Sequence, residues 1–547
     1  MNTLGSFTYE RFAPILPKDK TSHHRVAIAG GGPIGLATAL GLAKQGVPSI
    51  VIEADNSVCE GSRAICISRR SLQILQRLGV LDAFMAKGLP WTTGRSYYKD
   101  QEVLRFSMPH AASDKLPPMI NIAQYHIEQF LLDEARRFPD LIDIRWASSV
   151  TQLQSRADGV SLTVTNDLGE YTVDADWLVA ADGGQSFVRK SLGLKLEGQA
   201  FTGKFVIVDI ELHSPFPTER RAWFDCVCNP GSTMLMHKQP DNIWRIDYQI
   251  PDDADLDEAI KEGNVRPVVE RHLAAIGEAH LPWQYLWSSA YRAGTMTLSS
   301  YVHGRVLFAG NAAHAMPIFG VRGLNSGFED ADNLTWKLAL VVTGQAAPQL
   351  LQTYSSERIA AYHINAYNAG KSTEFMAPGS RGFALMREAA LSLSLQHRAM
   401  ASLLNPRQTS AVAYEVPQDL GDPFTDGLQS GQAPADVPVR WPDGTQGHLL
   451  DRMASEFCLL ILGNADGAAL AQVIQAAELA RHLHAPDSAH NSTVNNSASN
   501  LALPQLQTLH FPGDAGAHSA LAAAWGWQRA YLLRPDGHIA SIHRLDQ

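Results

Sequence analysis

Val26-Ala27-Ile28-Ala29-Gly30-Gly31-Gly32-Pro33-Ile34-Gly35 is the stretch from which the fold is read. Residues 26–29 form a short apolar run without alternation, as in a strand buried on both faces. Residues 36–45 carry helical spacing, and Gly46 closes them as a C-cap. Ser49–Ile52 is a second apolar strand that ends on Glu53. Together these segments make a βαβ unit, and the fold class is α/β. The spacing Gly30-x-Gly32-x-x-Gly35 suits a dinucleotide: Gly30 for the tight turn, Gly32 for close approach of a pyrophosphate, Gly35 for helix–strand packing. Pro33 suits the first helical turn. The phosphates would rest on free N–H groups at the helix N-terminus, and Glu53 would accept from ribose hydroxyls. Glycine clusters also mark plain turns. The strand before, the helix after and the acid beyond favour the nucleotide.

Outward from this unit, Arg69–Leu78 reads as a helix closed by Gly79, and residues 127–135 as another. Residues 160–165 and 171–173 alternate like a hairpin, with a separate strand at 176–181. Residues 202–250 are strand-rich, with a hairpin turn at Gln239-Pro240-Asp241-Asn242. A buried strand returns at 305–309, followed by helices at 329–342 and 354–368. Residues 405–445 are rich in Pro, Gly, Asp and Gln. A last unit of strands, a helix and a hairpin follows, interrupted by a Ser/Asn/Ala tract at 486–500 that reads as a disordered insertion.

The chain has 547 residues, enough for two or three domains, and a net charge of -10. No basic run marks a nucleic-acid face. No stretch approaches the ~18 consecutive apolar residues of a membrane span, and residues 1–25 lack a signal-peptide h-region and read as a loose arm. Of the 5 cysteines, none forms C-x-x-C, so neither a redox dithiol nor a zinc ribbon is legible, and no metal is expected. Cys226 and Cys228 read as ordinary strand residues on one face, in keeping with a reducing cytoplasm.

The region after the returning strand narrows the reading. Gly310-Asn311-Ala312-Ala313-His314, Pro317, then Gly320-Val321-Arg322-Gly323-Leu324-Asn325-Ser326-Gly327 and Asp330 stand in order. This resembles the second FAD motif of the single-component flavoprotein aromatic hydroxylases, the family of p-hydroxybenzoate, phenol and 3-(3-hydroxyphenyl)propionate hydroxylases. Asp182-Gly183, Ser186 and Arg189 resemble the same family's middle motif, implicated in binding both FAD and NAD(P)H. Ser62-Arg63-Ala64 resembles its arginine segment near the pyrophosphate, and Gln124 its flavin-contacting glutamine. The resemblance covers residues 25–400, and from Arg440 on the tail is similar to the degenerate thioredoxin-like domain of the longer members.

The resemblance implies a Rossmann-type FAD domain over 25–190 and 296–404, an inserted substrate-binding β-sheet domain over 191–295, a linker over 405–439, and a thioredoxin-like domain over 440–547, after an arm of residues 1–24. It implies that Gly30, Gly32, Pro33, Gly35, Glu53, Arg63, Gln124, Asp182, Arg189, Gly310, Asn311, Pro317, Gly320, Gly323, Leu324 and Asn325 serve the cofactor. Asn311 departs from the family's Asp, which keeps an acceptor oxygen but loses the charge. Arg322 puts a cation in the glycine turn, where it could stabilise anionic reduced flavin or attract an anionic substrate. His314 reads as a buried histidine satisfied by local backbone. Trp223, Phe224, Met234, Met236, His237, Trp244, Arg245 and Tyr248 are candidates to line the substrate space. Arg245 could bind a carboxylate or the flavin, and His237 or Tyr248 could relay a phenolic proton. With Arg322, these three are the candidates for catalysis.

The activity implied is a cytoplasmic monooxygenase that uses NADH or NADPH and O2 to hydroxylate a small phenolic ring through a flavin C4a-hydroperoxide. No second GxGxxG exists, so the nicotinamide nucleotide would dock transiently. Neither nucleic acid nor integral membrane contact is expected, and a homodimer is consistent with the tail. Two alternatives stay open: an FAD-dependent dehydrogenase or epoxidase on a non-aromatic substrate, and a catalytically silent FAD-binding protein.

Overall fold

The computed structural model describes residues 3–404, 409–416, 424–453, 455–465, 467–484 and 506–545. The tract at 486–500 read as an insertion lies outside them.

A parallel sheet runs in the order Ile142–Arg145, Ser49–Ile52, Thr21–Ala29, Gly169–Ala180 and Val306–Phe308. Val26, Ala27 and Ile28 are fully buried, as an apolar run without alternation requires. The helix Pro33–Lys44 covers them and packs on the helix Gly323–Val342, where a Cβ on Gly41 would lie 2.7 Å from Thr335 Oγ1. The expected hairpin and the strand expected at 176–181 are continuous: Gly169–Ala180 pairs with Val160–Asn166 by its first half and with Val306–Phe308 by its second.

The second sheet runs His314–Ala315, Trp283–Thr297, Glu197–Leu212, Ile243–Ile250, Asn229–Lys238, Arg220–Cys226, Thr93–Tyr98 and Gln101–Ser107. Arg220–Cys226 pairs with Thr93–Tyr98 in parallel, and every other neighbour is antiparallel. The β layer expected within 191–295 therefore also takes strands from 93–107, a segment that no local signal ties to it. Helix Glu262–Ala275 covers one face of this sheet, through Val265, Val269 and Leu273. The other face looks toward the parallel sheet.

The described residues of the expected loose arm, 3–25, are not loose. Tyr9 is buried, Gly61 N–H donates to its hydroxyl at 3.2 Å, Phe12 stacks on Trp146, and Arg11 donates to Asn56 Oδ1 at 2.8 Å. Nor are all described residues of the expected linker loose: Val412 and Tyr414 are buried, and Arg358 donates to the Tyr414 hydroxyl at 3.0 Å. From Phe457 the chain forms a four-stranded sheet in the order Leu506–Phe511, Phe457–Leu462, Arg529–Leu533, Ile539–Arg544, with the first pair parallel. One of its faces packs Phe457, Leu459, Ile461 and Leu532 on Trp336, Leu340 and Leu350. Ion pairs close that interface, Glu357 with Lys337 at 2.8 Å and with Arg534 at 2.7 Å.

Candidate active site

A cavity of about 710 Å³ opens between the two large sheets. Its lining contains the glycine turn, Glu53, Arg63, Gln124, Asp182, the turn at Gly310 and Asn311, and the 316–324 loop. That volume is of ligand size. The three motif glycines have different reasons to be glycine. Gly30 has φ +100°, and a Cβ there would lie 2.5 Å from Ala181 O. At Gly35 a Cβ would lie 1.8 Å from Gly30 O. Gly32 has φ -69° and nothing within 4 Å of the added carbon. The chain itself does not require glycine at 32. Gly32 also caps helix Pro33–Lys44 without a side-chain acceptor, so the first N–H groups of that helix stay available to an anion.

Glu53 accepts from Gly31 N–H at 2.5 Å and from Asp55 N–H at 2.8 Å, which braces the turn and leaves a second lone pair on each oxygen. Burial pushes its carboxyl up. Gln124 begins helix Gln124–Ala135, receives Ala64 N–H at 3.3 Å and donates to Glu128 at 2.9 Å. Glu128 lines the cavity too, and burial lifts it to about 7. Asp182 accepts Val188 N–H on Oδ2 at 3.0 Å, while its buried Oδ1 has no partner among the described residues. An unmade hydrogen bond in a buried site is costly, so Oδ1 awaits a donor from an occupant.

Three predicted cofactor residues, Gly35, Arg189 and Asn325, stand behind the wall as framework, and Gly310 both lines the cavity and braces it. Gly35 packs helix on strand. Arg189 ties two turns together, donating to Ala312 O at 2.9 Å and Gly184 O at 2.6 Å. Asn325 receives Ser68 N–H at 2.9 Å and donates to Cys66 O at 3.0 Å, pinning the start of its helix to a distant strand. Gly310 has φ +59° and gives its N–H to Asp330 at 3.0 Å. Asp330 also accepts from His314 Nε2 at 2.7 Å and from Arg358 at 2.7 Å. His314 Nε2 thus meets a carboxylate rather than local backbone, while its buried Nδ1 has no hydrogen-bond partner among the described residues. Asn311 is exposed on the cavity wall beside Pro317, Gly320, Gly323 and Leu324. Arg322 lines the same loop, donates to Asn365 Oδ1 at 2.5 Å, and is drawn down to about 10 by burial.

The substrate-lining expectation needs correction. Of its eight residues, His237 and Arg245 line the cavity, together with Arg220, Leu235 and Asp247. Trp223, Met234, Met236, Trp244 and Tyr248 belong to the core on the opposite face, under helix Glu262–Ala275, and Phe224 to a third cluster. Side chains alternate along a strand, so Leu235 and His237 share one face and Met234 and Met236 the other. Tyr248 is therefore removed from the proton relay. Arg245 is fully engaged with Asp209 and with the carbonyls of Ser62 and Arg63. Period-two alternation could have found Arg220 and Asp247, charged residues that interrupt apolar strands.

Cys226 and Cys228 are joined by a disulfide, in contrast to the ordinary strand residues expected. His272 Nδ1 lies 3.7 Å from Cys228 Sγ, and the three side chains form the one metal-competent cluster found among the described residues. Sulfurs bonded to each other are not thiolate ligands. Among the described residues no helix is long and apolar enough to cross a membrane.

Residues 23–365 match the model of the FAD binding domain family. The chain belongs to this family of flavin-binding proteins. It is 30% identical over 335 residues to the 3-(3-hydroxy-phenyl)propionate/3-hydroxycinnamic acid hydroxylase of Escherichia coli (strain SMS-3-5 / SECEC), covering 61% of this chain and 59% of that protein. The enzyme of the same description from Klebsiella pneumoniae (strain 342) is 30% identical over 342 residues, again spanning 59% of its length. The match thus covers less than two thirds of these relatives. Among solved structures, the flavin-dependent monooxygenase PieE in complex with FAD and substrate is similar with a TM-score of 0.75, 22% identity and 96% of each chain covered. OxyS anhydrotetracycline hydroxylase from Streptomyces rimosus follows with a TM-score of 0.68, 24% identity and 96% of each chain covered. At such identities these two speak for the mixed α/β fold alone.

Proposed function

We propose that this chain is an FAD-dependent monooxygenase that uses NAD(P)H and O2 to hydroxylate a small phenolic ring. The observation that carries the reading is the single cavity that runs from the glycine turn to the charged face of the second sheet. One end suits a dinucleotide, and the other leaves a walled space beside the 317–323 loop. In this reading Gly30, Gly32 and Pro33 cradle the pyrophosphate with Arg63 beside it, Gln124 contacts the flavin, and Glu53 takes a ribose hydroxyl. Asp182 Oδ1 and Asn311 offer acceptors to the flavin's polyol chain, and the 317–324 loop backs the ring. Bound FAD supplies the electron transfer from the nicotinamide nucleotide and the activation of oxygen. The chain's own work is to orient the ring, exclude water and hold charge at fixed positions.

The same reading takes the first sheet as a Rossmann-type domain, the second as an inserted substrate domain, and the tail as a thioredoxin-like domain without its dithiol. It takes the compartment as cytoplasmic and admits a homodimer. The test is a screen of phenolic acids for stimulated NAD(P)H oxidation, with products identified by mass spectrometry. A hydroxylated ring supports it. NAD(P)H oxidation without ring product supports a dehydrogenase or epoxidase. A yellow protein inert to every phenol supports a silent flavin-binding protein.

A further inference from the structure

The cavity face of the second sheet carries a charged row. His237 pairs in register with Arg245, and Arg245 with Asp209. Arg220 enters from the next strand, and Asp247 stands two residues beyond Arg245, opposite Leu235 and Ile207. Arg245 and Asp209 satisfy each other. Arg220 and Asp247 do not: both are buried, both line the cavity, and neither side chain makes a hydrogen bond or ion pair among the described residues. A buried guanidinium and a buried carboxylate are each costly without a partner. Standing apart around the same space, they match a ligand group that gives a proton to one and negative charge to the other.

We propose that Asp247 is the base that takes the proton of the substrate's ring hydroxyl, and that Arg220 holds the phenolate so formed. This rests on the reading of the site as a ring hydroxylase, and it names the substrate class: a phenol with an ionisable hydroxyl at the sheet face. The O–H bond breaks, its electron pair stays on oxygen, and the proton passes to a carboxylate oxygen of Asp247. No oxidant or reductant enters the step. Phenolate formation enriches the ring in electrons, as attack by an electrophilic oxygen demands.

Every wall bears on the titration of Asp247. Burial lifts it to about 7, Arg245 and Arg220 oppose that rise, and Asp209 adds to it. His237, from the adjacent strand, is held well below its ordinary value by burial and the two arginines, so it stays neutral. The Tyr291 hydroxyl from the far strand is buried, unpartnered and pushed up. Cys66, facing from a separate small sheet, is lifted to about 12 by burial and stays a thiol. Arg220 itself is drawn down to about 10 by burial and remains charged. Neither His237 nor Cys66 competes for the proton near neutrality.

The probes are 4-nitrophenol, whose phenolate absorbs in the visible, and its methyl ether 4-nitroanisole, added to the yellow holoprotein. Near pH 7, where Asp247 is ionised in part, wild type should hold more 4-nitrophenol as phenolate than free solution does and release fewer protons than phenolate formed, because Asp247 keeps them. Asp247→Asn should either bind neutral phenol or release about one proton per phenolate. Arg220→Met should lose the phenolate spectrum, and 4-nitroanisole should bind at least tenfold more weakly than 4-nitrophenol. For whichever phenol the screen identifies, Asp247→Asn should lower kcat/KM about 100-fold near neutrality, Asp247→Glu should recover part of it, and the deficit should shrink as pH nears the phenol's own pKa. Flavin spectrum and Tm report whether each variant is folded. Neutral phenol in wild type, phenolate bound by Asp247→Asn with the same proton release as in wild type, or binding of neither probe overturns the proposal. Hydroxylation by Asp247→Asn at the wild-type rate also overturns it and leaves the hydroxylase reading standing. Proton-retaining phenolate binding without any ring product from wild type does the reverse.

Discussion

Arg245 grips Asp209 with two hydrogen bonds, Nε to Oδ1 at 2.9 Å and Nη2 to Oδ2 at 2.8 Å, with both side chains 2% exposed. The same guanidinium donates to the carbonyls of Ser62 and Arg63, so a strand of the second sheet holds the arginine segment of the cofactor site in place. Arg245→Leu should therefore leave Asp209 buried and unpaired, and lower stability by about 3 kcal/mol. It should also weaken FAD retention, because the segment loses its anchor. Lysine cannot reproduce the fork and should not rescue it. Thermal unfolding and flavin titration measure the two effects.

Gly32→Val and Gly35→Ala should fail in different ways. At Gly32 the backbone is extended and the added carbon meets nothing within 4 Å, so the apoprotein should keep its stability within about 0.5 kcal/mol. FAD should no longer bind. At Gly35 a Cβ would sit 1.8 Å from Gly30 O, and the fold itself should lose about 4 kcal/mol or more. Circular dichroism melts of the apoproteins separate the outcomes.

Asn311→Asp should retain or tighten FAD binding. The side chain is exposed to the cavity, so a carboxylate there stays hydrated until an occupant donates to it. A charge-assisted bond in place of a neutral one corresponds to about 1 kcal/mol, or roughly fivefold in Kd. Fluorescence titration of the apoprotein with FAD reads the change.

The interface between the tail and the helices before it should loosen in acid. Glu357 is pulled far below the ordinary glutamate range by Arg534 and Lys337, although burial alone would raise it. A depressed carboxyl stabilises the fold above its unfolded pKa, and that contribution is lost as pH falls through the folded one. The loss should begin below about pH 4.5 and grow toward lower pH. Glu357→Gln should show much of the same weakening already at neutral pH. Limited proteolysis near residue 440, compared at the two pH values, tests this. Of the tail's aromatics, Phe457 meets Trp336 edge to face at the junction, whereas Trp525 and Tyr531 pack edge to face within the tail.

Denatured protein without reductant should titrate three thiols, from Cys59, Cys66 and Cys458, and all five cysteines after reduction. The native protein should react slowly with thiol reagents, because burial raises all three thiols, Cys66 and Cys458 to about 12.

The amino-acid sequence alone determined the βαβ unit, its glycine turn and the order of the flavin motifs. Each is local: apolar runs, helix caps and glycine spacings lie next to one another in the chain, and their meaning survives without knowledge of distant contacts. It did not reveal that residues 3–25 pack or that strands from 93–107 join the second sheet, since those depend on distant approaches no local pattern records, nor that Cys226 meets Cys228, since two cysteines so spaced on a regular strand would only share a face. The cavity face of the second sheet is the clearest division. Alternation in Ile243–Ile250 separates Trp244, Ile246 and Tyr248 from Arg245 and Asp247, but both faces of that sheet are covered, one by helix Glu262–Ala275 and one by the cavity. Burial on both sides removes the polar-out signal that would mark the inner face. Only the tertiary structure decided that the aromatic stripe is core and the charged row faces the cavity, because only there do Asp209, Arg220, Arg245 and Asp247 share one low-dielectric wall.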